Sequence, residues 1–381
     1  MTVLRAMFVT SALTHGGAER HAVTVMNRLA ERGHEVHSVY LKDHEPNQLD
    51  RLRLRGGTVN CLQAARYLDW KALRRFSAQM ADIAPTIVVA ANPYSLMYAW
   101  AARRMAGMQS ALVVTYHSNR LLDMKERLQM LAYRFFFWSA DCLVFVCQRQ
   151  RSYWLSRAVF SRRNEVIYNG VDTEEYRDRS TPDLRAQMRD RFGFAASDYV
   201  IGISAWLRPE KNHVQLVEAI ARLRQRGIPA KALMIGDGAM RSAVEALARK
   251  RGVDGHIVIT GFQKDVRPYI CACDVMALCS TTETFSLAAI EAMALRKPMV
   301  HPDVGGAAEM IRCGHDGFLF PVGDTAALTD RLADLADREA SATMGARARV
   351  VVETRFSEDK MIARYERLLI DIADGRQPER R

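Results

Sequence analysis

The sequence is poor in cysteine and in long apolar runs. Its seven cysteines, at 61, 142, 147, 271, 273, 279 and 313, form no framework. Only Cys271 and Cys273 are close, and no second pair joins them as a zinc site, so the spacing predicts buried thiols in a reducing compartment. The uncharged stretch 85–102 is divided by Asn92-Pro93 into a strand and a helix start, which argues against a membrane span. The opening MTVLRAMFVT is too short for a signal peptide and runs into a glycine-rich turn. Low-complexity segments and short repeats are absent as well. With 49% apolar and 25% charged residues, the composition is that of an ordinary soluble globular protein.

Length and positive charge stand out among what is present. At 381 residues the chain exceeds the roughly 250–300 at which single cores stop growing, so two domains are expected. The net charge of +11 is concentrated: between Arg103 and Arg163, eleven Lys or Arg stand against three acids, at 123, 126 and 141. Trp138, Trp154 and the run Phe135-Phe136-Phe137 are interleaved with them. Such a stretch suits nucleic acid or an anionic membrane; it equally suits a solvated basic face with its aromatics in the core.

The patterning is an alternation. Short β-branched or apolar runs at 4–10, 35–41, 86–91, 111–116 and 142–147 are separated by helical stretches. After the linker-like YNGVDTEEYRDRSTPD (168–183) the alternation restarts, with runs at 199–205, 231–236, 256–260, 274–279 and 297–300. This predicts an α/β fold of two Rossmann-like domains, each a doubly wound parallel sheet, in residues 1–175 and 176–356. Ligands in such sheets bind beyond the carboxyl ends of the strands, and with two domains the natural site is the cleft between them.

Several residues at those ends carry chemistry. Gly16-Gly17, in SALTHGGAER, form either a plain tight turn or a place where helix amides meet a phosphate. His117 follows the strand 111–116, as a structural histidine or a site residue. In TTETFSLAAIEAMALRKP (281–298) the spacing starts a helix near Phe285, with Leu287, Ile290 and Ala294 inward. Glu291 lies on that inward stripe, where a carboxylate is costly unless paired. Glu283 precedes the helix, beside the amides of Thr284, Phe285 and Ser286. The two acids lie about 12 Å apart if the segment is helical throughout, which suits a ligand with hydroxyls at both ends and phosphate between. The bland alternative is a cap-like Glu283 and a Glu291 salt bridge to Lys297 or an arginine. Glycine turns follow two more strands, at Gly236-Asp237-Gly238 and Gly261-Phe262. The loop SAWLRPEKN (204–212) presents Trp206, Arg208 and Lys211.

Taken together these motifs resemble the GT-B retaining glycosyltransferases of family 4. The resemblance rests on GGAER (16–20), HS (117–118), YNGVD (168–172), LRPEKN (207–212), GDG (236–238), GF (261–262), ETFSLAAIEAMA (283–294) with its E-x7-E spacing, GGAAEMI (305–311) and DGFLFPVGD (316–324). It implies a nucleotide-sugar donor, with Glu291 on the ribose, Glu283 on the transferred sugar, and Thr284, Phe285, Ser286 and Leu287 around a diphosphate assisted by Lys211. It further implies the base near Phe262 beside Gly236, Gly16 and Gly17 toward the diphosphate, Glu19 and Arg20 near the acceptor, and His117 near the reacting centre. Catalysis is expected from His117, Glu283 and Lys211. The helix 357–381 is expected to return to the first domain. No cofactor or metal is implied, since cations and a helix N-terminus balance the leaving diphosphate; the sequence also contains no Asp-x-Asp.

The implied activity is transfer, with retention, of a sugar from a UDP-sugar to a lipid-linked or saccharide acceptor of a bacterial envelope glycan. The enzyme is expected in the cytoplasm, peripheral on the inner membrane face, with an anionic membrane surface rather than nucleic acid as the partner of the basic stretch. A sugar-nucleotide epimerase or phosphorylase on the same scaffold, and a basic nucleic-acid-binding protein, are the competing readings. The chain departs from the family at Trp206, where the family carries its first diphosphate cation. Either Arg208 supplies that charge from a shifted backbone, the preferred alternative because both side chains point one way if the extended conformation persists, or Lys211 acts alone and Trp206 walls the sugar or acceptor.

Overall fold

The computed structural model describes residues 2–14, 16–45, 47–121, 124–177 and 182–376. Asp123 of the basic stretch, residues 178–181 of the linker and residues 377–381 lie outside them. The chain forms two compact units, Met1–Tyr168 with Lys360–Arg381, and Asn169–Asp359.

The first unit is a seven-stranded parallel sheet, ordered β3-β2-β1-β4-β5-β6-β7. Its strands are β1 (Arg5–Thr10), β2 (Glu35–Tyr40), β3 (Val59–Cys61), β4 (Ile87–Ala90), β5 (Ala111–Tyr116), β6 (Cys142–Phe145) and β7 (Arg163–Val166). Alternate side chains of one strand feed opposite faces. Met7 and Val9 pack with Phe76, Tyr98 and Trp154, while Ala6 and Phe8 pack with Met26, Leu29 and Tyr365. Burial on both faces is why the inner strands read as unbroken apolar runs.

The second unit is a six-stranded parallel sheet, ordered β10-β9-β8-β11-β12-β13. Its strands are β8 (Tyr199–Ser204), β9 (Ala230–Ile235), β10 (Ile257–Ile259), β11 (Val275–Ala277), β12 (Met299–Pro302) and β13 (Gly317–Phe320). In both sheets the order reverses beside the first strand, between β1 and β4 and between β8 and β11, the switch point at which sheets of this kind bind ligands.

Residues 169–175, which the linker spacing assigns to the first domain, and residues 357–359, which the resemblance assigns to it, pack in the second unit. The two crossing segments pair with each other there. The Val171 amide donates to the Phe356 carbonyl at 3.0 Å and the Glu358 amide to the Val171 carbonyl at 2.9 Å. No helix among the described residues is long and apolar enough to cross a membrane.

Candidate active site

In the second unit the switch point is built by two loops. The first, after β8, leans on the turn after β9: the Leu207 amide donates to the Asp237 carbonyl at 2.8 Å, and the Met240 amide to the Leu207 carbonyl at 3.0 Å. Gly236, at φ +149°, permits this approach, because a Cβ there would stand 2.1 Å from the Ala205 carbonyl oxygen. Gly236 thus acts at least as a support for the loop. The extended conformation does not persist past Ser204. The Arg208 amide turns back to the Trp206 carbonyl at 2.8 Å, and a short 3₁₀ turn, Pro209–Lys211, follows. The strand-alternation argument for Trp206 and Arg208 therefore fails: Leu207 is buried, Trp206 half-buried and Arg208 exposed. Trp206 stacks on Phe262, ring centroids 5.6 Å apart and 18° from parallel.

The second loop, after β11, carries Glu283. Its carboxylate forms an ion pair with Lys211 and accepts from Ser280 Oγ at 2.9 Å. The Thr281 amide donates to the Glu210 carbonyl at 2.8 Å, so the two loops are fastened side by side. Gly305, at φ +57°, abuts the same backbone: a Cβ would lie 2.2 Å from the Glu283 carbonyl oxygen, and the Gly306 amide donates to the Thr284 carbonyl at 2.7 Å. The Phe285 carbonyl accepts from Asn169 Nδ2 at 2.9 Å, while its ring packs edge-on to Phe356 in the core.

The helix begins later than the spacing suggests, at Leu287 rather than near Phe285, and runs Leu287–Ala294. Ser286 is its cap, with Oγ accepting from the Ala289 amide at 3.3 Å; a hydroxyl in extended backbone outcompetes helix there. Among the described residues no acceptor meets the amides of Leu287 and Ala288, which remain donors at the positive end of the helix. Glu291 is buried on this helix, 3% exposed. Lys297 donates to the Cys271 carbonyl at 3.2 Å. The C-terminal end of the helix is held by Arg349, which donates to the Ala294 carbonyl at 2.7 Å.

Two buried histidines beside the pair were missed by the sequence reading. His301, at the end of β12, donates from Nδ1 to the Pro302 carbonyl at 2.7 Å. Burial pushes its pKa down, the Pro302 carbonyl and Glu283 act upward, and Lys211 acts downward, so it lies within electrostatic reach of both ions. His213 opens the helix His213–Gln225 and is lowered to about 4 by burial and by the Lys211 charge. A histidine within three residues of a strand's carboxyl end is the signal that marks His301.

In the first unit a cavity of about 330 Å³ opens at the carboxyl ends of β1, β4 and β5, lined by Thr10, Asn92, His117, Glu19, Glu126 and Tyr133 among others. His117 is lowered to about 4 by burial and is neutral at physiological pH. The His21 ring meets it edge-on at 4.8 Å, and His21 Nε2 pairs with Tyr365 Oη at 3.0 Å. Gly16 caps the helix Gly17–Glu31 in extended backbone, and the Arg20 amide donates to its carbonyl at 3.0 Å. Glu19 folds over Gly16 so closely that a Cβ there would meet its carboxylate at 2.1 Å. This end of the helix therefore already holds a carboxylate from the chain itself. The residues expected at the site thus fall into two groups: Gly16, Gly17, Glu19, Arg20 and His117 in the first unit, and the rest in the second.

Two units with this strand order and loops of this kind define a GT-B fold, the architecture of a large class of glycosyltransferases. Residues 15–175 match the family model described as Glycosyltransferase Family 4, and residues 185–351 the model described as Glycosyl transferases group 1. The chain belongs to this glycosyltransferase family. It is 26% identical, over 94% of both chains, to the N-acetyl-alpha-D-glucosaminyl L-malate synthase of Bacillus anthracis. It is 25% identical to the lipopolysaccharide core biosynthesis glycosyltransferase LpsE of Rhizobium meliloti, over 93% of this chain and 96% of that one. Its fold is similar to that of HepE from Anabaena in complex with UDP-glucose, with a TM-score of 0.84 at 20% identity, over 97% of this chain and 100% of the other.

Proposed function

We propose that this glycosyltransferase moves a sugar with retention from a UDP-sugar to a lipid-linked or saccharide acceptor of a bacterial envelope glycan. The observation that carries the reading is the Lys211–Glu283 pair at the switch point of the second sheet, next to the open amides of Leu287 and Ala288. Lys211 and those amides balance the charge that develops on the departing diphosphate, so the reaction needs no metal. Glu283 orients the transferred sugar and Glu291 takes ribose hydroxyls. Arg208 is the second cation for the diphosphate, and Trp206 with Phe262 gives a flat apolar face at the base end. In the first unit, neutral His117 and the carboxylate of Glu19 face the acceptor in the cavity they line, and Arg20 completes that side.

The lipid-linked acceptor is supported by the helix Met124–Ser139. Met124, Leu128, Leu131, Phe135 and Trp138 are all exposed, at i, i+4, i+7, i+11 and i+14, which is one stripe of a helix. Lys125, Arg127 and Arg134 flank them, giving an apolar stripe with a basic border that suits peripheral attachment to an anionic membrane. A GDP-sugar donor is the second reading, because a GDP-mannose-dependent mannosyltransferase of Mycolicibacterium smegmatis is 33% identical over 55% of this chain and 57% of its own length.

The test is donor consumption with UDP- and GDP-sugars, with and without membrane extract as acceptor. Turnover is expected with a UDP-sugar and to rise with the acceptor. Glu283→Ala or Lys211→Ala should keep the thermal midpoint near wild type and lower turnover by at least ~100-fold, the cost of one lost charge-stabilising contact. A Glu283→Ala enzyme of normal activity sinks that residue's role, and GDP-sugar turnover alone selects the second reading. Co-sedimentation with anionic but not neutral liposomes is expected for the helix stripe.

A further inference from the structure

The second sheet has another cavity, at its opposite end. It measures about 590 Å³ and opens where β11 and β12 begin, between the helix Pro182–Arg191, residues 296–298 and the helix Arg338–Arg355. The loops of the donor site leave the carboxyl ends of these strands, whereas this cavity sits at their amino ends, so the transfer reaction makes no use of it.

Its lining is unbalanced in charge. Arg185, Arg189, Arg296, Lys297 and Arg338 stand against Asp190 and Asp274. Asp274 is shared: one oxygen accepts from Arg185 at 2.5 Å, the other from Arg189 at 3.4 Å and from the Val200 amide at 2.7 Å. One carboxylate thus serves two guanidiniums and a backbone donor. Arg189 is buried, and its Nε has no hydrogen-bond partner among the described residues. Its pKa is lowered, first by burial; Asp274 opposes this, while the repulsion of Arg185 and Arg338 adds to it. Arg296 is exposed in the left-handed region at φ +57°, and no ion pair or hydrogen bond occupies its guanidinium among the described residues. Phe194, Pro298 and Leu335 supply apolar wall.

Buried positive charge without full compensation is costly, and a concave basic surface concentrates the field on an anion. Guanidinium forks match the oxygens of a phosphate, and the volume falls within the roughly 300–1,000 Å³ of small-molecule sites. We propose that this cavity binds a small phosphate-bearing molecule at a site separate from the donor site, with Arg185, Arg296 and Arg338 on the phosphate and Phe194 and Leu335 beside the remainder. Arg189 also donates to the Asp198 carbonyl, but the Asp198 carboxylate is paired with Lys231, so the bound anion supplies charge that Asp274 and Asp198 together do not.

Calorimetric titration of the full chain with inorganic phosphate, pyrophosphate and glucose 6-phosphate, at saturating UDP, isolates this cavity from the donor site. At least one probe is expected to bind the wild type, and Arg296→Glu/Arg338→Glu should weaken it by at least roughly tenfold, the scale of a lost charged hydrogen bond. Both positions are exposed, and among the described residues the double variant gives up only the Arg338 hydrogen bond to the Ala196 carbonyl, so the thermal midpoint should stay near wild type and UDP affinity should match it; these readouts separate a lost site from a damaged fold. The proposal is overturned if none of the three probes binds, if the double variant binds equally well, or if UDP abolishes the binding. Phosphatidylglycerol vesicles form a second arm: binding of vesicles with no binding of soluble phosphates overturns the small-molecule assignment in favour of a lipid headgroup.

Discussion

Arg208 and Lys211 stand three residues apart in one loop, yet among the described residues only the Lys211 side chain is committed to a partner. Its ion pair with Glu283 holds both groups in place before any ligand arrives, and a half-buried pair of this kind gains more from its geometry than a surface pair does. Arg208 is exposed and makes no ion pair or side-chain hydrogen bond among the described residues, which leaves its guanidinium available to a diphosphate. If it serves there, Arg208→Ala should weaken UDP binding by about tenfold, since a hydrogen bond to a charged group is worth roughly 1.5–3 kcal/mol. Trp206→Arg in that background should recover affinity, because it restores a cation at the position the family uses. Calorimetry on the two variants checks both statements; no loss in Arg208→Ala assigns the diphosphate to Lys211 alone.

At the scale of the element, the candidate site depends on backbone contacts that admit no side chain. Gly305 sits against the carbonyls of Glu283 and Thr284 in a left-handed conformation. Gly305→Ala should cost about 1–3 kcal/mol from the strained backbone and in addition displace Glu283, so turnover should fall further than the stability loss explains. Urea midpoint and kcat measured on the same preparation separate the two effects. Ser286→Ala removes only the cap of the helix Leu287–Ala294 and should cost about 0.5–2 kcal/mol while leaving Glu283 fastened to Lys211 and Ser280. Equal activity losses in the two variants would show that helix capping, not the placement of Glu283, governs turnover.

For the whole molecule, five buried or half-buried histidines among the described residues couple folding to pH. His21, His117, His213, His256 and His301 all have lowered pKa values, chiefly from burial, and His117 and His213 fall to about 4 against an ordinary 6.5. The folded state resists protonation that the unfolded chain accepts. Stability from these groups is therefore fully present above about pH 6.5 and is lost as pH falls toward 4. The thermal midpoint should drop over that window, and His213→Gln should flatten the slope by its own share. A midpoint independent of pH between 4 and 6.5 would contradict the burial of these rings as neutral groups.

The alternation of apolar runs and helical stretches determined by itself that there are two parallel α/β units, because strands buried on both faces must be continuously apolar. The edge strands Val59–Cys61, Arg163–Val166 and Gly317–Phe320 escaped it, being short and, in the first two, half-polar, as edges with fewer covered sides permit. The motif order also pointed to Glu283, Lys211 and His117, which follow strands, and to Glu291, a carboxylate on the inward stripe of a helix. What only the tertiary structure decided is how groups distant in the chain meet. The Lys211–Glu283 pair, the Trp206–Phe262 stack, Gly305 against the Glu283 carbonyl, and His301 within electrostatic reach of both ions depend on strand order, which brings β11 between β8 and β12 and sets β8 and β10 on either side of β9. Periodicity along a chain reports which side of an element is buried; it carries no information on which element lies across from it.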